Sequence, residues 1–177
     1  ESHWIVVKNI IKYLRRTKDK FLVYGGSEEL VVSGYTDASF QTDKDDFRSE
    51  FGFVFCLKGG AMSWKSSKQS IVADSTTKVE YIAASEAGKE AVWIRKFITE
   101  LGVITMVPSR KQKNLDHTRN PYIQRRYHLI HEITGRGDVK ISRVSTDENV
   151  ADLFTKPLPQ PKHERHTAVI GIRFIKM

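Results

Sequence analysis

The chain has 177 residues, 40% of them hydrophobic and 28% charged, with 29 Lys and Arg against 21 Asp and Glu for a net charge of +8. That length builds one domain with a proper core and leaves little for a second, and the mixture excludes a disordered tail. No apolar run reaches a membrane span, and the opening lacks the charged, apolar, small order of a signal peptide. A cytoplasmic or nuclear, non-secreted protein without a membrane partner is therefore expected.

The opening "HWIVVKNIIKYLRR" places Trp4, Val7, Ile11 and Leu14 at helical spacing, with Lys8, Lys12, Arg15 and Arg16 on other faces. A chain that starts with Glu inside this amphipathic segment reads as part of something longer. "FLVYGG" and "ELVVSGYTD" are β-rich runs, with a turn expected at 25–29. In "SEFGFVFCLKGGAMSWKS" Phe51, Phe53, Phe55 and Leu57 alternate, then Met62 and Trp64. This spells a hairpin in which Gly59-Gly60 supply the positive φ of the turn and Trp64 faces the core.

The longest expected helix follows, with Val79, Ala83, Ala87, Ala91, Ile94, Ile98 and Leu101 as its stripe and Gly102 as its stop. Residues 103–120 begin as a short strand candidate, "VITMV", and turn into a basic loop. A helix opens at Pro121, and "RGD" at 136–138 reads as a turn into a strand, "VKISRVS" (139–145). "TDENVADLFTK" is a short helix with Asp147 as its expected cap, and the tail carries one more short helix. The sum is an α/β chain with a mixed sheet and flanking helices.

Three acids stand where such a scaffold could gather them: Asp37 after a strand, Glu80 in the first turns of the long helix, and Asp152 in the short one. Carboxylates suit hard divalent cations that activate water in phosphodiester cleavage. Each acid also has a structural use. Thr77-Lys-Val-Glu80 fits a capping box, Asp152 fits a solvated helix position and Asp37 a strand end. The pairs His128/His131 and His163/His166 lack Cys partners for structural zinc and read as surface histidines.

"GYTDASF…DFRSEFGFVFCLKGGAMSWKSSKQSIVADSTTKVEYIAASEAGKEAVWIRKFITELG" and "RRYHLIHEITGRGDVKISRVSTDENVADLFTKPLPQPKHERH" resemble the ribonuclease H region closing the Pol polyprotein of copia-type LTR retrotransposons. "HWIVVKNIIKYLRRTKD" resembles the end of the preceding reverse transcriptase region. The resemblance implies residues 1–24 as the end of that region, 28–160 as a ribonuclease H-like domain and 161–177 as a C-terminal tail.

It further implies hydrolysis of the RNA strand of RNA–DNA hybrids with two Mg²⁺ ions, or Mn²⁺, on Asp37, Glu80 and Asp152. The reverse transcriptase region of the same polyprotein is the implied partner, and the virus-like particle of the element a location. Glu80 is assigned from "TTKVEY", where Lys78 replaces the family's first acid.

One departure is expected to matter. Relatives follow the long helix with a strand ending in a "CDN"-like motif, whose Asp is the remaining carboxylate, and no such motif occurs here. A central strand is thus missing or replaced by "VITMV", and catalysis is expected to be weak or lost, leaving a nucleic-acid-binding remnant or a pseudogene product as the alternative. The charge favours a polyanion: residues 102–177 hold 14 Lys and Arg against 7 acids, residues 1–101 hold 15 against 14. Arg48, Lys65, Lys68, Arg125 and Arg126 are the candidate contacts.

Overall fold

The structure, a computed structural model, describes residues 2–25, 30–40, 47–70, 72–102 and 121–175. In chain order these form α1 (Ser2–Arg16), β1 (Lys20–Leu22), β2 (Val32–Ser39), β3 (Glu50–Leu57), β4 (Gly60–Lys68), α2 (Thr76–Glu100), α3 (Pro121–Gly135), a 3₁₀ turn η1 (Val150–Phe154), α4 (Gln160–Val169) and β5 (Ile172–Phe174). The result is a mixed α/β arrangement. No described helix is long and apolar enough to cross a membrane.

An antiparallel sheet ordered β2-β3-β4 is its centre. Alternation along β3 divides the core between the two sheet faces. Phe51, Phe53 and Phe55 pack against Ala83, Ala87, Ile94 and Ile98 of α2, while Val54 and Cys56 turn the other way to meet Ala61, Val150 and Ile170. A strand buried on both faces needs apolar residues throughout, which explains why the run 51–56 carries no charge. The hairpin turns one residue earlier than expected: Lys58 and Gly59 hold the positive φ values, 51° and 75°, and Gly60 already pairs with Leu57.

Helix α2 is capped by Ser75, whose hydroxyl accepts from the Lys78 backbone N–H. The Thr77–Glu80 capping box is therefore not formed, and Glu80 stands exposed inside the helix. Of the expected stripe, Leu101 is exposed as well. Helix α3 packs on α2 where Gly88 leaves room: an added Cβ would sit 2.7 Å from Ile133 Cδ1. Arg126 fastens the pair by donating to Glu86 and Ser85.

β1 pairs with β5 and not with β2, its neighbour in sequence. This small sheet is tied to the β3–β4 hairpin through Gly171, where φ is +86° and an added Cβ would lie 2.6 Å from the Val23 carbonyl oxygen. Residues 161–175 thereby join the structure, with Ile170 in the second core cluster.

Four local expectations need correction. Residues 139–145 form no strand. Among the described residues β2 and β4 are the two edges of the sheet. Trp64 is 56% exposed, because β4 is such an edge and this part of its face is uncovered. Asn149, not Asp147, caps η1. His166 is buried, not on the surface, and its Nε2 lies 3.1 Å from the Asp147 carbonyl oxygen. The substitute strand "VITMV" and most of the turn at 25–29 lie outside the described residues.

Candidate active site

Asp37 sits in β2 directly opposite Gly52 of β3. Cross-strand partners share a face, so Asp37 projects on the side of η1, away from α2. Gly52 is what lets η1 come close: a Cβ there would collide with Phe154 Cβ and lie 3.3 Å from Thr155 Cγ2. Ser66, next across the sheet, donates to the Phe154 carbonyl oxygen at 2.7 Å and holds the end of η1 down.

Asp152 lies within η1 and is 1% exposed. Its carboxylate and that of Asp37 converge on one ammonium group. Lys156 Nζ stands 2.8 Å from Asp152 Oδ1 and 3.2 Å from Asp37 Oδ2. Lys162, on α4, takes the other Asp152 oxygen at 2.8 Å and also donates to the Thr146 carbonyl. The Thr155 hydroxyl donates to Asp37 Oδ2, and Asn149 Nδ2 reaches Asp37 Oδ1 at 3.4 Å and the Thr36 carbonyl at 3.1 Å.

Burial pushes the Asp152 carboxyl upward, but hydrogen bonds and charge from Lys156 and Lys162 outweigh it and hold the group below the usual carboxylate range. Burial would lower the Lys156 ammonium, yet Asp152 and Asp37 raise it above its ordinary value. Two carboxylates and two ammonium groups thus sum to zero charge.

Of the three acids expected at the site, the fold brings Asp37 and Asp152 together and leaves Glu80 outside the pair, exposed on α2. Among the described residues, no group of three His, Cys, Asp or Glu side chains could hold one metal ion. The Asp37–Asp152 pair nevertheless fits a single cation, because it already embraces one in the form of Lys156.

The candidate nucleic-acid contacts do not form one surface: Lys65 and Arg126 both lie near Glu86 on the α2 side, and Lys68 is on the other face of the sheet. Lys65 pairs with Phe53 and lies on the α2 side, its Nζ 5.5 Å from the Phe51 ring centroid. Lys68 shares the Asp37 face, Arg48 and Arg125 are exposed, and Arg126 is engaged with Glu86. Sequence reasoning missed Asn149, Thr155, Lys156 and Lys162. The signal for Lys156 was present, since it stands four residues after Asp152 in "NVADLFTKPL", the spacing at which opposite charges meet on a helical turn.

The chain is similar along nearly its whole length to the retrovirus-related Pol polyprotein from transposon TNT 1-94 of Nicotiana tabacum. The two are 40% identical over 182 aligned positions, 97% of this chain and 14% of that protein. The Pol polyproteins from transposons RE2 and RE1 of Arabidopsis thaliana are 30% and 31% identical, again over 97% of this chain. The chain spans only 12% to 14% of the length of these curated relatives.

An alignment of 182 positions exceeds the part of a 177-residue chain that it covers, so the tobacco protein carries residues absent here. No protein-family model matches the chain. Among solved structures, the N-terminal RNase H domain of a Mycobacterium tuberculosis protein aligns with 78% of this chain and 97% of its own, at 10% identity and a TM-score of 0.46.

Proposed function

Because this chain belongs to the retrovirus-related Pol polyproteins of copia-type transposons, we propose that it is a ribonuclease H-like domain of such a polyprotein. Its ancestor hydrolysed the RNA strand of RNA–DNA hybrids, and its own catalysis is weakened or lost. The observation that carries this reading is the meeting of Asp37 and Asp152, from opposite ends of the domain, around one positive charge. A merely structural strand end and a solvated helix residue would have no reason to converge.

Asp37 and Asp152 would hold a Mg²⁺ or Mn²⁺ ion, and Glu80, exposed on α2, stands outside the pair. When bound, such an ion supplies Lewis acidity and an activated water. The chain's own contribution is orientation. Asn149 and Thr155 fix the Asp37 carboxylate, and Lys162 fixes that of Asp152.

Weakness follows from the same geometry. One close acid pair provides fewer oxygen ligands than two catalytic ions require, and lysines neutralise the pair. The basic balance of residues 102–177 supports a second reading, a binding remnant that holds RNA–DNA hybrid without cutting it. The exposed apolar residues Trp4, Val7, Ile11 and Leu14 on α1 support a contact with the reverse transcriptase region of the same polyprotein, in the particle or the nucleus.

Cleavage of an end-labelled RNA–DNA hybrid in Mg²⁺ and in Mn²⁺ tests the proposal, with the chain compared to Asp37→Asn and circular dichroism confirming that both fold. Hybrid binding with slow cleavage, lost in the variant, is the expected result. Robust cleavage abolished by the substitution would overturn the claim of weakness; cleavage unaffected by it would overturn the site.

A further inference from the structure

We infer that Lys156 is a resident counter-cation of the acid pair, so that a divalent ion reaches Asp37 and Asp152 only by displacing its ammonium group. The inference rests on the proposed metal role of these acids, and it adds a residue that sets how tightly the ion binds.

The geometry is that of a seat already taken. Lys156 Nζ is 2.8 Å from Asp152 Oδ1 and 3.2 Å from Asp37 Oδ2, distances at which an ammonium makes charge-assisted hydrogen bonds to both acids at once. It is the one described group that bridges the two carboxylates. Of the two acids Lys162 touches only Asp152, from the opposite oxygen, and is anchored by the Thr146 carbonyl and, at 3.7 Å, the Asp147 carboxylate as well. A divalent ion between the two acids needs the oxygens that Lys156 holds, whereas Lys162 can stay.

Lys156 is also able to leave. Its side chain is 34% exposed while that of Asp152 is 1% exposed. A flexible four-carbon stem with a strongly hydrated head can swing into water, but the buried carboxylate cannot follow it. Displacement therefore separates two roles: without metal Lys156 neutralises the buried acid, and with metal the ion takes over that task. Two like charges in one seat exclude each other, and couplings between close charge pairs begin at about tenfold in affinity.

Calorimetric titration with MnCl₂ alone, in the absence of nucleic acid, reads this directly. The chain is compared with Lys156→Met, Lys162→Met and the double variant Asp37→Asn/Lys156→Met. Lys156→Met is expected to bind Mn²⁺ about tenfold or more tighter than the parent, and the added Asp37→Asn to remove that gain. Lys162→Met is expected to change affinity much less.

Thermal melting supplies a second readout. Lys156→Met should melt lower than the parent without metal and recover with Mn²⁺, while the parent gains little. Should Lys156→Met fail to fold, Lys156→Gln keeps a hydrogen-bond donor without the charge and answers the same question. Equal or weaker Mn²⁺ binding by the folded variant would overturn the role of Lys156 alone. Absence of Mn²⁺ binding in every folded variant would overturn the metal reading of the acid pair and this inference with it.

Discussion

Gly52 lies directly across the β2–β3 ladder from Asp37, and its missing side chain is the space into which Phe154 and Thr155 settle. The site thus depends on a residue with no functional group. Gly52→Ala would push a methyl against Phe154 Cβ, with the Lys65 carbonyl oxygen 3.4 Å away on the other side. Overpacking of this kind costs about 1–3 kcal/mol. Urea unfolding should show a lower midpoint at unchanged slope, and a Ser66→Ala change, which removes the bond to the Phe154 carbonyl, should cost less.

Acid should weaken the α2–α3 contact in a predictable direction. Burial pushes the Glu86 carboxyl up, but Lys89, Arg126 and Lys65 together hold it below its ordinary value of 4.5. A group whose pKa is lower folded than unfolded stabilises the fold above the unfolded value, and the benefit disappears as pH falls through the folded one. Glu86→Gln should therefore be less stable than the parent at neutral pH. The gap should close as the pH drops from about 4.5 downward. A gap of equal size at pH 7 and pH 3 would mean that packing, not charge, is what Glu86 supplies.

Much of this was legible in the sequence, and the failures share a cause. Period-2 alternation told which residues of β3 oppose each other, but not that Trp64 sits on an edge strand, because neighbours in the sheet are not neighbours in sequence. The same blindness made a strand of 139–145, whose pattern is right and whose pairing strand is wanting among the described residues. Local rules also compete: Ser75, two residues before Thr77, took the helix cap, and Glu80 was thereby released from the structural duty its spacing suggested.

At the site, the motif around Asp152 marked one acid, and only family resemblance tied it to Asp37. The lysine between them is half legible: its i,i+4 spacing announces the contact with Asp152, whereas its reach to Asp37 is a product of tertiary convergence that no spacing rule gives.

A core aliphatic and an edge aromatic should part company on mutation. Ile133 is 3% exposed and faces the gap that Gly88 leaves in α2, so Ile133→Ala is expected to cost about 2–5 kcal/mol. Trp64→Ala, at a position 56% exposed, should stay within about 0.5 kcal/mol. Denaturation of both variants side by side checks this. A large loss at Trp64 would show that its ring is covered by a partner or by a part of the chain not described.

The two acids should also differ in what their loss does to the fold. Asp152 is the more deeply buried and answers to two lysines, whereas Asp37 shares only Lys156 and has the neutral donors Thr155 and Asn149 besides. Asp152→Asn removes the nearest carboxylate from both ammonium groups: Lys156 keeps Asp37 at 3.2 Å, while Lys162, only 18% exposed, keeps only the exposed Asp147 at 3.7 Å. Breaking a buried pair by removing one partner costs roughly 3–5 kcal/mol, and the lower end is expected because each lysine retains one acid.

Asp37→Asn strands no cation, since Lys156 keeps Asp152. It is expected to lower stability by about 1 kcal/mol, the scale of an ordinary hydrogen bond. Urea titration of both at neutral pH distinguishes the cases, and adding Lys162→Met to Asp152→Asn should restore part of the loss by removing the charge left with only Asp147. Equal losses at the two positions would mean that the lysines find water without moving the backbone, and that the charge balance of the site does not hold η1 against the sheet.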